Sequence, residues 1–338
     1  MSFKKTLSSI VAAATIGLAG CGAGQEAIRE TPIPQIRVRD GRDAFFAYLD
    51  SHRVQVVAVG EMHILHDGDE ARARHAGIPF TLDIFTDDYL GAFAERGYHH
   101  IVLEHLWQES AHDLDMFYSG VDITRQATPR LYQNIETIPA GEEVRGLLMR
   151  ARDLHVRIHP GGMDRNDIQR VIVLTELQSM VPYHPEAQTA IDMLTREVFA
   201  NIAAHTYIHV HNLLETNPRI KIITYGGMIH NNTNLRQETL FITRGDREAA
   251  ASFSFAARIE DDLERTGGDY REVDIVQRDV LDIILERLHG QTGPGGVTPQ
   301  QFFFEYILLT RQVHGRSPVL RENDEQRRLL LVYGRWRE

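Results

Sequence analysis

The sequence predicts an α/β fold: a mostly parallel central sheet with helices on both faces and a helical insertion at about residues 110–217. Three observations carry that prediction. Short stretches at 54–59, 100–103, 156–159 and 219–224 have strand length, and the first two are apolar enough to fit strands buried on both faces. Longer stretches with apolar residues at helical spacing separate them. Strand, helix and strand in that order build parallel sheets through crossover helices.

The elements follow in order. Residues 41–52 read as a helix with Phe45, Phe46 and Leu49 on one face. The run 54–59 is a strand bounded by Gly60. Residues 81–96 form a helix through Leu82, Phe85, Tyr89 and Phe93, stopped by Gly97. After the strand at 100–103 the pattern weakens until a helix at 142–155 and a strand at 156–159. Residues 185–217 hold no glycine or internal proline after Pro185 and read as one long helix, followed by the strand at 219–224. Later strand candidates are 253–255, 273–276 and 304–309, and 327–333 is an apolar terminal run.

The N-terminus carries Lys4 and Lys5, an apolar stretch from Leu7 to Gly17, then Leu18-Ala19-Gly20-Cys21. Charged start, short apolar core and small residues describe a secretory signal peptide. The run is shorter than the roughly 20 apolar residues a membrane span needs. Its ending resembles the bacterial lipobox. Residues 1–20 are therefore expected to be a lipoprotein signal peptide, with Cys21 the lipidation site. Residues 21–40, with Pro32 and Pro34, are a tether, and 41–338 form a single domain. The expected location is the cell envelope, anchored by lipid. Gly22 rather than Asp after Cys21 favours the outer membrane where a cell has two.

Cys21 is the chain's only cysteine, so no internal disulfide and no thiol nucleophile are available. A net charge of -11 disfavours nucleic acid as a partner. No Gly-x-Ser-x-Gly elbow and no phosphate-binding glycine loop occur.

Sites in open α/β sheets lie outside the carboxyl ends of the strands. The first strand is followed by Gly60-Glu61-Met62-His63, the second by Glu104-His105, the third by Gly161-Gly162-Met163-Asp164-Arg165, and the fourth by Gly226-Gly227-Met228-Ile229-His230. Every end brings a carboxylate, a histidine or both. Glu61, His63, Glu104 and His230 are the expected catalytic residues, with Glu61, His63 and His230 as metal ligands. His105 reads as structural.

These motifs resemble the superfamily containing erythromycin esterases, TraB/Tiki proteins and ChaN-like haem-binding lipoproteins, over roughly residues 50–310. The single residue between Glu61 and His63 is similar to the ChaN branch. The resemblance matches Glu61, His63, Glu104 and His230 to that superfamily's functional positions.

Asp164 and Arg165 are added from their strand-end placement. His205 and His209 share one face of the long helix, but Thr206 and Tyr207 stand between them without the glutamate of a zinc-protease helix. They read as core or pocket-wall residues. Asp164, Arg165, His205, Tyr207 and His209 are the cofactor-binding candidates, a tyrosine or histidine there being able to ligate haem iron.

Two functions are expected from these residues. The first is a hydrolase acting on a small molecule, with a glutamate–histidine acid–base pair and a divalent metal, zinc or manganese, assisting. The alternative is a haem- or iron-binding lipoprotein, a homodimer enclosing its ligand.

Overall fold

A computed structural model describes residues 39–62, 67–138, 140–180, 184, 186–231, 247–287, 289, 298, 300, 303–313, 317–323 and 328–335. The chain is α/β, as its pattern predicts. Eight strands form one sheet: β1 (Arg39–Asp40), β2 (Val54–Glu61), β3 (Tyr98–Leu103), β4 (Arg157–Pro160), β5 (Lys221–Gly227), β6 (Asp269–Gln277), β7 (Val319–Asn323) and β8 (Arg328–Tyr333). Their order is β1-β7-β8-β6-β2-β5-β3-β4. All pairings from β8 through β4 are parallel, and only the β1–β7 and β7–β8 pairs at one edge are antiparallel.

Burial explains the sequence of the central strands. Every residue of β2 is buried, because helices cover both faces of the sheet and leave none to solvent. On one face Val57, Val59, Ile101, Leu103, Tyr225, Val273 and Leu331 pack together. Covering them are α1 (Gly41–His52), the α3 (Thr81–Ile84), π-turn (Phe85–Tyr89) and α4 (Leu90–Glu95) succession, α5 (Ala111–Tyr118), α6 (Pro129–Thr137) and α7 (Gly141–Asp153). α2 (Asp67–Ala76) precedes this succession. Gly97, at φ 84°, terminates α4 in the left-handed conformation a side chain would resist.

The opposite face buries Val56, Ala58, Val102, Ile222 and Tyr270 beneath α9 (Ala187–Thr216) and α11 (Ala256–Glu264). Further along, Val276, Leu330 and Val332 pack under α12 (Arg278–Arg287) and α13 (Phe304–Arg311). α8 (Arg165–Met180) and α10 (Arg247–Ser252) complete the set. Among the described residues of the span 110–217 lie the α-helices α5 to α9 and the edge strand β4. Among the described residues, no helix is long and apolar enough to cross a membrane.

Two strand expectations are corrected. Residues 304–309 are helical: Tyr306, Leu309, Thr310 and Val313 are buried at helical spacing, which a six-residue apolar window cannot reveal. Residues 253–255 join α10 to α11 as loop. Their apolar character comes from Phe253 and Phe255, which plug the core from that loop.

Candidate functional site

The carboxyl tips of β2, β5 and β3 lie side by side, and they carry two crossed acid–imidazole pairs. Alternation along a strand sends Glu61 to the face of Val59 and Tyr225. There its Oε2 accepts a hydrogen bond from the Tyr225 hydroxyl at 2.5 Å, and its Oε1 lies 3.0 Å from His105 Nε2. Tyr225 is fully buried. Burial, then the neighbouring Glu61 carboxylate, hold its phenol well above its ordinary range, so it keeps its proton and acts as donor.

Glu104 turns the other way. It lies on Gly226, and its Oε2 accepts the Gly227 N–H at 2.7 Å. Gly226 makes this approach feasible: a Cβ there would meet Glu104 Oε2 at 2.0 Å. Its Oε1 lies 3.7 Å from His230 Nε2. His230 is 2% exposed and packs edge-on to Phe199. Its Nδ1 donates to the carbonyl of Phe253 at 2.7 Å. That bond fixes the neutral tautomer with the lone pair on Nε2, facing the carboxylate.

The separation of 3.7 Å is informative. It exceeds the 2.7–2.9 Å of a charge-assisted hydrogen bond, roughly the distance a shared proton would set. It fits two arms of roughly 2.0–2.2 Å meeting at an angle near 115–135°, close to what a zinc-type ion takes between nitrogen and oxygen. Glu104 and His230 thus present one carboxylate oxygen and one imidazole nitrogen to each other without sharing a direct hydrogen bond.

β6 adds Asp274, beside Gly60 in register. Asp274 is 0% exposed and takes both Nε and Nη2 of the buried Arg328, at 2.9 and 2.8 Å. Asn231 is also buried. Its Nδ2 has no hydrogen-bond partner among the described residues and stands 3.0 Å from where a Cβ on Gly60 would lie.

Of the four expected catalytic residues, three are placed at the strand tips. Glu61, Glu104 and His230 are there, but Glu61 pairs with His105 and His230 with Glu104, on opposite faces of the sheet. A ligand set joining Glu61 to His230 is not what these faces present. His63 and Cys21, the signal segment 1–20 and residues 21–38 of the tether lie outside the described residues. Sequence reasoning missed His105, Tyr225 and Asn231. His105, read as structural, stands one residue from Glu104, and strand alternation was the signal that could have assigned it to Glu61.

The cofactor candidates form separate groups. Asp164 and Asp167 cap α8 reciprocally: Asp164 Oδ1 accepts the Asp167 N–H at 2.9 Å, and Asp167 Oδ2 the Asp164 N–H at 3.2 Å. His205 Nδ1 donates to the Gly162 carbonyl at 3.0 Å, and Nε2 lies 4.0 Å from Asp164 Oδ2. Ligand atoms of Asp164, Asp167 and His205 all lie within 4.8 Å of one another. Arg170 already places a guanidinium 3.1 Å from Asp167 Oδ1, which opposes a second cation there. Arg165 is exposed, and only its backbone N–H is engaged, by Glu109.

His209 Nε2 donates to Gln108 Oε1 at 2.9 Å, and Gln108 Nε2 is held by the carbonyls of Pro160 and Gly162. His209 thus walls a row of imidazoles with His159 and His100, whose His100 Nδ1 and His159 Nε2 are 3.0 Å apart. Burial first, then His100, His209 and Arg157, push the His159 pKa down to about 3. Tyr207 lies apart from these, on a surface cleft against α11.

The chain matches no protein-family model and no curated protein sequence. Among solved structures it is similar to that of the type III effector HopBA1, with a TM-score of 0.42 and 11% identity over 90% of this chain and 99% of that one. A likeness at this level carries no argument about function.

Proposed function

We propose that the chain is an exported, lipid-anchored envelope hydrolase acting on a small molecule, with His230 and Glu104 as its acid–base pair. One observation carries this reading: a buried imidazole whose Nδ1 is tied to the Phe253 carbonyl, leaving a bare Nε2 aimed at a carboxylate 3.7 Å away. Such an imidazole is a preset general base. His230 Nε2 takes a proton from water as the water oxygen bonds to the substrate's electrophilic centre. Glu104 stabilises the imidazolium that forms. The same proton then passes to the leaving group as its bond breaks. The Asn231 amide offers a donor to the developing negative oxygen.

Tyr225 and His105 keep Glu61 fixed on the other side of the β5 tip. A zinc-type ion held by Glu104 and His230 would occupy the same Nε2 lone pair, so it would supply Lewis acidity in place of the general-base role. Localisation rests on the sequence of residues 1–21.

The test is turnover of a panel of carboxylic and phosphoric esters and peptides by wild type, His230→Asn and Glu104→Gln. Each substitution should lower kcat by about 100- to 10,000-fold with unchanged melting. Wild-type turnover in His230→Asn would overturn the assignment. Elemental analysis and an absorption spectrum with added hemin decide between bound metal and bound haem.

A further inference from the structure

A second cluster of chemistry lies away from the strand tips, where α9 meets α11. A cleft of about 450 Å³ opens there, lined by Tyr207, His211, Arg258, Asp261, Asp262 and Arg265. That volume is within the range of small-molecule sites.

Its floor is organised around one buried carboxylate. Asp262, 7% exposed, accepts from His211 Nδ1 at 2.8 Å and from the Arg265 guanidinium. Asp262 accepts from His211 Nδ1, because a carboxylate can only accept, and Nε2 donates to a bound oxyanion when the ring is an imidazolium, the form that Asp262 and an incoming anion both favour. The Arg258 guanidinium stands 5.6 Å from the Tyr207 ring centroid, and the Tyr207 and His211 rings are 5.5 Å apart. Among the described residues Arg258 has no ion-pair partner. Arg258 is exposed and lines the cleft, and its guanidinium carries five donors.

We propose that this cleft binds a small organic oxyanion, a carboxylate or a phosphate ester, with Arg258 and His211 as its ligands and Tyr207 as its floor. A guanidinium held over an aromatic face presents the fork that matches such oxyanions in two parallel hydrogen bonds. The volume exceeds what the oxyanion alone needs, so an organic body accompanies it. Asp261, exposed at the rim, repels the ligand, and salt screens that repulsion.

The test is calorimetric titration of the mature protein with inorganic phosphate and, separately, with succinate. One saturable site is expected for at least one probe, and the stronger probe identifies the preferred oxyanion. Arg258→Gln and His211→Gln should each weaken it by about tenfold or more, and Asp261→Asn should tighten it. Arg125→Gln, an exposed arginine elsewhere, should leave it unchanged. All four positions are at least partly exposed, so unchanged melting of each variant verifies the fold. No saturable heat up to about 50 mM of either probe, weaker than any specific site, overturns the proposal. So does binding that Arg258→Gln and His211→Gln leave intact. Activity loss in His230→Asn is a separate readout, so this site and the hydrolytic one fail independently.

Discussion

Replacing Gly226 with alanine tests the placement of Glu104 directly. The new methyl carbon would stand 2.0 Å from Glu104 Oε2 and 2.7 Å from Glu104 Cβ, with only Glu104 atoms that close. The carboxylate must therefore leave. Forcing a methyl into packed space costs about 1–3 kcal/mol. Removing the charged acceptor from the Gly227 N–H costs about 1.5–3 kcal/mol more. The two overlap, so the expected loss is about 3–4 kcal/mol, read as a shift in the urea midpoint at constant slope. Turnover should fall as far as in Glu104→Gln. The decisive measurement is the double-mutant cycle. In a Glu104→Gly background, which removes Cβ as well as the carboxylate, the clash partner is gone, and Gly226→Ala should cost less than about 1 kcal/mol. Equal costs in both backgrounds would mean that Glu104 does not rest on Gly226, and the paired geometry with His230 would fall with it.

Two further outcomes follow from buried charge. His159 has its folded pKa lowered to about 3 from an unfolded value of 6.5, so the unfolded chain binds the proton first. Its contribution is complete above about pH 6.5 and is lost as the pH falls toward 3. The slope is at most about 1.4 kcal/mol per pH unit and about half that after allowing for its partial exposure. Urea unfolding at pH 7 and pH 4.5 should show His159→Asn with a weaker acid loss than wild type, and parallel curves would refute this. Arg328→Met removes the guanidinium from buried Asp274 and should destabilise by about 3–5 kcal/mol. A second substitution, Asp274→Asn, should recover part of that loss in the same assay.

The sheet was legible in 54–59, apolar apart from Gln55 and buried on both faces as β2, whereas 156–159 alternates Val156, Arg157, Ile158, His159, as edge strand β4 half open to solvent does. The run 304–309 is equally apolar, yet it is α13, since burial of six residues does not distinguish period 2 from period 3.6. The strand-tip acids were legible for a related reason: ionisable groups closing such runs have no place in a core unless something partners them. Which partner each takes was not legible, because it depends on strand order. β5 falls between β2 and β3, which puts Tyr225 beside Glu61 and Gly226 beneath Glu104. Adjacent residues at a strand tip point to opposite faces. Glu104 and His105 therefore serve one pair each, and a motif that reads as a single dipeptide equips both sides of the sheet. The function of each tip is thus set by the neighbour that topology supplies, and substitutions in β5 should disturb both pairs at once while those in β2 disturb mainly one.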